Sequence, residues 1–241
     1  AIALDNARLF GDLQAKNEEL DAFSHTVAHD LKSPLTMVLG YSDMLAHEIE
    51  GIDSAEINKI CQSVARSARK MDSIIKELLL LSSVRKQAVE FRPIDMHPVV
   101  GEALQRIGHL TEQTDIELVI PMHWPAAYGY APWIEEIWVN YISNAIKYGG
   151  QPARVELGFD EDEQGDIWFW VLDNGMGLTA AEQNKFFIPF PRLEQVRVKG
   201  HGLGLSIVQR IVTKLGGTTA VESKIGVGSC FKFSLPRTTN Q

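Results

Sequence analysis

A chain of 241 residues is long enough for two domains, and 45% apolar with 22% charged residues is typical of a globular protein. The net charge of -8 at pH 7 argues against a nucleic-acid partner, because a phosphate backbone would be repelled. Cys61 and Cys230 are too few for a disulfide framework, and no run approaches the roughly 18 apolar residues of a membrane span. We therefore expect a cytoplasmic protein without a direct membrane span.

Residues 1–46 are predicted to form one long helix, in which Leu13, Leu20 and Val27 repeat every seven residues as in a coiled coil. A break at 50–56 separates it from a second helix that ends near residue 84. The apolar positions of the second helix alternate at spacings of three and four: Ile57, Ile60, Val64, Met71, Ile74, Leu78 and Leu81, with Ser67 as the one weak position. Two such helices form an all-α hairpin whose apolar stripes a dimeric four-helix bundle would bury.

The pattern then changes to mixed α/β after a polar, proline-bearing segment. Helices are predicted at 98–109, 132–147 and 203–215, the last ending at Gly216-Gly217. Strands are predicted at 116–120, 153–159, 166–172, 218–223 and 228–235, and the last four form two hairpins. We expect an α/β sandwich. The domain boundaries are predicted as a coiled-coil linker over 1–20, the helical hairpin over 21–84, a linker over 85–97 and the sandwich over 98–241.

His29 lies two residues from both Val27 and Leu31, so it points away from the apolar seam of the first helix. Pro34 cannot donate to the carbonyl of Asp30 and crowds it, which predicts a bend or local loosening just after His29. An exposed neutral imidazole is a competent nucleophile. His25 lies on the same face one turn earlier, and the residues alone do not decide between the two histidines.

Asn140, Asn144 and Lys147 recur at i, i+4 and i+7 in the predicted helix 132–147 and form a narrow polar stripe. Most apolar residues, including Ile134 and Trp138, fall on the other side. Amide oxygens can bind a Mg²⁺ ion that also binds phosphate oxygens, and the ammonium group of a lysine can bind phosphate. A solvated polar face is the alternative interpretation.

Asp173 ends a predicted strand and precedes Gly175 and Gly177, which permit a tight turn and close backbone approach. A carboxylate at this place can accept a hydrogen bond from an exocyclic amine. An ordinary strand-to-loop turn would show the same residues.

Glycines open the final helix in GHGLGLSIV, where free N–H groups favour an anion. The glycines are Gly200, Gly202 and Gly204. Between the two glycine runs, residues 184–200 combine paired aromatics, two prolines and basic residues. We interpret this segment as a lid in which Phe187 and Phe190 anchor the chain and Arg192 reaches a phosphate. A surface loop held by its aromatics is the alternative.

The order of these motifs behind HDLKSPL resembles the transmitter region of sensor histidine kinases over residues 20–236. FSHTVAHDLKSPLTMVLGYSDML resembles the H-box, NYISNAIKY the N-box, DNGMGL the first glycine box, FFIPFPR the F-box and GHGLGLSIV the second glycine box. The resemblance favours His29 over His25, because the phosphoacceptor of the H-box is followed by acid-x-x-x-Pro. It also implies a Bergerat-type ATP-binding fold, with ATP and Mg²⁺ bound.

The resemblance further implies a role for each motif residue. His29 would attack the γ-phosphate, Asp30 would orient it or act as base, Asn140 would complete the catalytic set, and Asn144 would be the main metal ligand. The implied nucleotide contacts are Asn144, Lys147, Tyr148, Asp173, Gly175, Gly177, Phe190, Arg192, Gly200, Gly202, Leu203 and Gly204. The implied partners are a second copy through the hairpin and a response regulator that accepts the phosphoryl group on an Asp.

The opening residues 1–20 resemble the last helix of a GAF sensor domain, which implies an upstream sensor domain missing from this fragment. Two alternatives stay open. One is an ATPase of the same nucleotide fold, which needs a base on the Asn helix, and Glu136 lies on the face of Asn140 one turn earlier. The other is a scaffold with a degenerate kinase domain. Ser33, where kinases with strong phosphatase activity often have Thr or Asn, leaves reverse activity open.

Overall fold

The computed structural model describes residues 27–28, 30–45, 54–86, 88–111, 115–163, 165–186 and 203–237. The described chain divides into two compact units between Leu80 and Leu81. The first unit contains two helices. Helix α1 comprises residues 27–45 apart from residue 29, and helix α2 comprises Ser54–Lys86. The predicted helical residues 1–26 lie outside the described residues.

The predicted apolar stripe of α2 is the least exposed face of that helix. Ile60 and Ile74 are buried, and so is Ser67, which the sequence marked as the weak position. In α1, Pro34 is buried and the helix continues through it to residue 45. The proline therefore does not end the helix, and the predicted loosening after His29 stays a prediction because residue 29 lies outside the described residues.

The second unit contains the end of α2 and the mixed α/β part. Its elements in chain order are β1 Arg92–Ile94, α3 Met96–Arg106, α4 Gly108–Thr111, β2 Ile116–Val119, β3 Ala127–Gly129, α5 Ala131–Tyr148, β4 Ala153–Glu161, β5 Ile167–Asp173, α6 Ala180–Phe186, α7 Leu203–Lys214, β6 Thr219–Lys224 and β7 Gly228–Leu235.

A five-stranded sheet in the order β2-β4-β5-β7-β6 forms one layer of this unit. Strand β2 runs parallel to β4 and the other pairs are antiparallel. Helix α5 packs on β4 and β5. The aromatic core lies between them, where the Trp138 ring contacts Phe169 and Phe233 edge-on at centroid distances of 6.2 and 5.3 Å. The packing of α5 on a mixed sheet confirms the predicted α/β sandwich.

Both predicted hairpins are confirmed, with β4 paired to β5 and β6 paired to β7. The predicted end of the final helix is confirmed as well. Gly216 has φ of +84°, a left-handed conformation that glycine adopts without strain, and Gly217 N–H donates to Val212 C=O at 2.9 Å.

Three elements escaped prediction: strands β1 and β3 and helix α6. The segment 85–97, predicted as a linker, contains strand β1, which pairs antiparallel with β3, and the start of α3. Three-residue strands show no readable alternation, and the polar, proline-bearing composition of the segment indicated a linker. Helix α6 was also missed. It begins with a capping box in which Thr179 N–H donates to Glu182 Oε2 and Glu182 N–H donates back to Thr179 Oγ1.

None of the helices in the described ranges combines the length and the apolar character that a membrane span requires.

Candidate functional site

Helix α5 presents the predicted stripe of amides and lysine. Its buried face includes Ile134, Trp138 and Ile142, whereas Asn140 and Asn144 are half-buried and Lys147 is exposed. Asn144 Nδ2 donates to Asn140 Oδ1 at 3.1 Å, so the two side chains are held in line along the helix. This bond uses the Nδ2 atom of Asn144, and its carbonyl oxygen, which has no hydrogen bond to another described residue, can accept a ligand.

The start of α7 packs directly against this stripe. A β-carbon at Gly204 would lie 1.9 Å from Asn140 Nδ2, so a larger residue at position 204 would displace the amide of Asn140. Gly204, near the start of α7, therefore lies beside the amide pair. Gly200 and Gly202 lie outside the described residues, and Leu203 is described only as the first residue of α7.

Asp173 ends β5 and is buried, with 7% of its surface exposed. Its Oδ1 atom accepts from Gly175 N–H at 2.8 Å and from Ser229 N–H at 3.3 Å. Burial raises the pKa of this carboxyl, and the two backbone hydrogen bonds oppose the rise. Oδ2 has no hydrogen bond to any other described residue and remains an acceptor.

The glycine turn after Asp173 joins three elements. A β-carbon at Gly175 would lie 2.2 Å from the carbonyl oxygen of Tyr148, the last residue of α5. Gly177 has φ of +71°, and a β-carbon there would lie 2.1 Å from the carbonyl oxygen of Lys224 in β6. Tyr148 is half-buried, and burial raises the pKa of its phenol. The turn therefore sets Asp173 against the end of the amide helix.

Asn174 is a site residue that sequence reasoning missed. Its Oδ1 atom accepts from the N–H groups of Gly150 and Arg154, both at 2.9 Å, and its Nδ2 donates to Pro152 C=O at 3.0 Å. The side chain thus closes the loop that follows α5. The available signal was an Asn directly after a strand-ending Asp, a residue type that bonds nearby backbone.

Ser223 and Gln183 support the same turn and were also missed. Ser223 Oγ accepts from Leu178 N–H at 2.7 Å and donates to Gly228 C=O at 2.8 Å. Gln183 Nε2 donates to the carbonyls of Leu178 and Ser223 at 3.1 and 3.0 Å. Because the bonds from Leu178 to Ser223 and from Gln183 to Ser223 span 45 and 40 positions, no local pattern identifies this arrangement.

Other predicted residues belong to the first unit, bind elsewhere in the second unit or lie outside the described residues. Asp30 is half-buried in α1 of the first unit. His29, Phe190 and Arg192 lie outside the described residues. Glu136, the candidate base of the ATPase alternative, is bound by Arg106, whose Nη1 lies 2.7 Å from Glu135 and 2.8 Å from Glu136.

The oxygen atoms of Asn144 and Asp173 are suited to bind a nucleotide together with a hard cation. Within the described ranges, no group of three or more His, Cys, Asp or Glu side chains could hold a metal ion by itself. A cation here would need the amide oxygen of Asn144 together with phosphate oxygens, which is how Mg²⁺ commonly binds. The free Oδ2 of Asp173 suits an amino group on a base.

Two family models match the chain. Residues 19–87 match the His Kinase A (phospho-acceptor) domain. Residues 129–239 match the histidine kinase-, DNA gyrase B- and HSP90-like ATPase domain. The chain belongs to the sensor histidine kinases and corresponds to their transmitter region. Its second unit contains the ATP-binding domain.

Curated relatives carry the same region within longer proteins. The chain is 31% identical over 228 residues to the methanogenesis regulatory histidine kinase FilI of Methanothrix harundinacea, covering 94% of this chain and 26% of that protein. It is 32% identical to cyanobacterial phytochrome B of a Nostoc species, covering 95% of this chain and 31% of the relative. The chain therefore spans less than a third of either protein.

Solved structures share the fold. The Acinetobacter baumannii histidine kinase AdeS superposes with a TM-score of 0.67 at 20% identity, covering 88% of this chain and 98% of that one. Full-length ShkA in complex with AMPPNP superposes with a TM-score of 0.61 at 22% identity, covering 88% of this chain and 45% of that one. Both likenesses extend over the helical and α/β parts.

Proposed function

We propose that this chain is an ATP-dependent protein-histidine kinase that phosphorylates its own His29 and passes the phosphoryl group to an Asp of a response regulator. The proposal rests on one observation: the close approach of Gly175 to the backbone of Tyr148 brings two groups of possible ligand-binding side chains to the same helix. The amide pair Asn140–Asn144 lies along α5, and the acceptor Asp173 lies against the end of the same helix.

In this proposal the base and the phosphates of ATP use different parts of the cluster. Asp173 Oδ2 accepts from the exocyclic amine of adenine, and Tyr148 lies beside the nucleotide. Lys147 and the N-terminus of α7 at Leu203 and Gly204 attract phosphate. Bound Mg²⁺ would neutralise phosphate charge, with Asn144 as its protein ligand. Gly175, Gly177, Gly200 and Gly202 allow the backbone to approach, and Phe190 and Arg192 belong to the segment that covers the site.

The proposed chemical step transfers the γ-phosphoryl group to the imidazole of His29. The lone pair of an unprotonated ring nitrogen forms the P–N bond, the bond from phosphorus to the β,γ-bridging oxygen breaks, and ADP leaves with that electron pair. Asp30 is proposed to orient the ring through its other nitrogen and to accept its proton, while Asn140 fixes the amide of Asn144. Positioning and charge neutralisation supply most of the rate in such transfers.

We also propose a homodimer formed through the hairpin, in the cytoplasm, downstream of a sensor domain. Large apolar side chains remain exposed on both described helices of the hairpin, which supports burial against a second copy. They are Leu35, Met37, Leu39, Ile75 and Leu79. The greater length of the curated relatives supports additional domains in the whole protein.

The proposal is tested by incubating the chain with γ-labelled ATP and Mg²⁺ and following the label. Label that remains on the protein, is lost in acid and survives alkali supports a phosphohistidine. Release of all label as inorganic phosphate, with none on the protein, would support the ATPase alternative. Asn144→Ala should abolish labelling, because the cation loses its protein ligand.

A further inference from the structure

Residues 149–154, called the loop below, follow α5 directly and include the first two residues of β4. The shape of this loop depends on the side chain of Asn174, which follows β5. Asn174 makes three hydrogen bonds into this loop, to Gly150 N–H, Arg154 N–H and Pro152 C=O, at 2.9, 2.9 and 3.0 Å. The amide therefore bonds three backbone groups between the end of α5 and the start of β4. Ala153 N–H, in contrast, is bonded to Asp115 C=O at 3.2 Å.

The loop also packs closely on the backbone around Asn174. A β-carbon at Gly150 would lie 2.9 Å from the carbonyl oxygen of Asn174, and one at Gly149 would lie 3.3 Å from the β-carbon of Ala153. Together with the Tyr148–Gly175 approach, this packing leaves two backbone segments in mutual contact. One ends α5 and the other contains Asp173.

We propose that Asn174 is a positioning residue that ties loop 149–154 to the end of β5 and thereby fixes Asp173 relative to Tyr148 for recognition of the adenine amino group. This inference rests on the proposed function, because the role of Asp173 as adenine acceptor is part of it. Asn174 itself contacts neither base nor phosphate.

The physical reason is that an acceptor selects an amine only when its position is fixed. Asp173 Oδ1 is held by Gly175 N–H and Ser229 N–H, which sets the direction of Oδ2. The position of this whole turn against α5 depends on the loop contacts. Loss of the Asn174 amide leaves two N–H groups and a carbonyl without partners, so the loop rearranges to hydrate them. The geometry between Asp173 and the end of α5 then loosens.

The first test measures, in the absence of nucleotide, how far the hydrogen bonds of Asn174 protect the loop backbone. In Asn174→Ala, hydrogen exchange at the amides of Gly150 and Arg154 should accelerate by about tenfold or more, because each loses its acceptor. Asn174→Asp keeps an oxygen for both amides and should stay within about threefold of wild type. Gln151→Ala, which removes an exposed side chain from the same loop, is the matched control and should exchange as wild type does.

The second test compares binding of ADP and inosine 5′-diphosphate by calorimetry. The inosine nucleotide has an oxygen in place of the amino group that Asp173 would recognise. Asn174→Ala should weaken ADP binding by about tenfold, the equivalent of one charge-assisted hydrogen bond, and leave the inosine nucleotide unchanged. Asn174→Asp and Gln151→Ala should keep the wild-type preference for ADP.

Several outcomes would overturn the inference. Unchanged amide exchange in Asn174→Ala, or equal weakening of both nucleotides, would reduce Asn174 to a structural residue. If Asn174→Ala does not fold, Asn174→Ser retains one acceptor and takes its place, and failure of both to fold would also contradict a positioning role. Asp173→Asn separates this inference from the proposed function. If wild type binds both nucleotides equally and Asp173→Asn changes neither, the assignment of Asp173 fails, whereas the exchange data still decide on the tie.

Discussion

Gly204 lies so close to Asn140 that a β-carbon at position 204 would come within 1.9 Å of Asn140 Nδ2. The atom in the way is the end of a side chain, so the amide can turn aside without disturbing the backbone. It would then lose its alignment with Asn144, to which it is now hydrogen bonded at 3.1 Å. The lack of a side chain at Gly204, near the start of α7, therefore keeps the amides of Asn140 and Asn144 aligned on α5.

Replacing Gly204 with alanine should therefore damage binding more than stability. We expect Gly204→Ala to weaken ADP binding with Mg²⁺ by at least about tenfold, while the free energy of unfolding changes by less than about 1 kcal/mol. Calorimetry and chemical denaturation measure the two quantities. Gly101→Ala is the matched control, because Gly101 is helical and nothing lies within 4 Å of a β-carbon there. It should stabilise the protein by about 0.5–1 kcal/mol and leave binding unchanged.

Asp173 gives a prediction on pH. Burial raises the pKa of Asp173 in the folded state above its unfolded value, so the folded state holds the proton more tightly. The ionised carboxyl therefore costs stability, and this cost grows as pH rises from the unfolded pKa through the folded pKa. Asp173→Asn removes the charge and should raise the melting temperature at pH 7 more than at acid pH.

The same substitution should weaken ADP binding at pH 7, because the amide presents a donor or a weaker acceptor to the adenine amine. Acidification should weaken ADP binding to wild type as Asp173 takes up its proton, and should leave the variant less affected. Asp115→Asn, at an exposed aspartate before β2, is the control for both measurements. A melting temperature that falls equally at both pH values would contradict the assigned cost of ionisation.

The pair of glutamates bound by Arg106 separates the kinase from the ATPase alternative. Glu135→Gln and Glu136→Gln each remove one partner of Arg106 and should each lower the free energy of unfolding by about 0.5–1 kcal/mol, as partly exposed ion pairs do. Only Glu136 lies on the face of Asn140. If Glu136 is structural, both variants should autophosphorylate at similar rates. Loss of ATP turnover in Glu136→Gln alone would identify Glu136 as a base.

Much of the architecture was readable from the sequence because its patterns are local. The 3-4 alternation of α2 is its buried face, and the stripe of Asn140, Asn144 and Lys147 lies on one side of α5 as predicted. The hairpins around DEDEQG and KIGVG follow from turn residues between alternating strands. The sequence singles out Asp173 because it is an acid at a strand end that is followed by glycines. In the structure its carboxyl group is buried, and its Oδ1 atom accepts two backbone hydrogen bonds, which fits that interpretation.

The missed features depend on residues far apart in the chain. Strands β1 and β3 are three residues each and are defined only by their pairing. The amide of Asn174 acts on a loop 20 to 24 positions earlier, and Ser223 bonds Leu178 across 45 positions. The need for glycine at 204 comes from Asn140 on another helix. Such constraints are tertiary, so no window of sequence contains them.

The central claim is tested most directly by comparing two histidines on one face of the same predicted helix. Wild type, His25→Gln and His29→Gln would be incubated with γ-labelled ATP and Mg²⁺, and acid-labile, alkali-stable label on the protein would be measured. We predict that His25→Gln retains labelling and His29→Gln loses it, while both bind ADP as wild type does. Full labelling of His29→Gln, or loss of label in His25→Gln alone, would contradict the assignment of His29 as the phosphoacceptor.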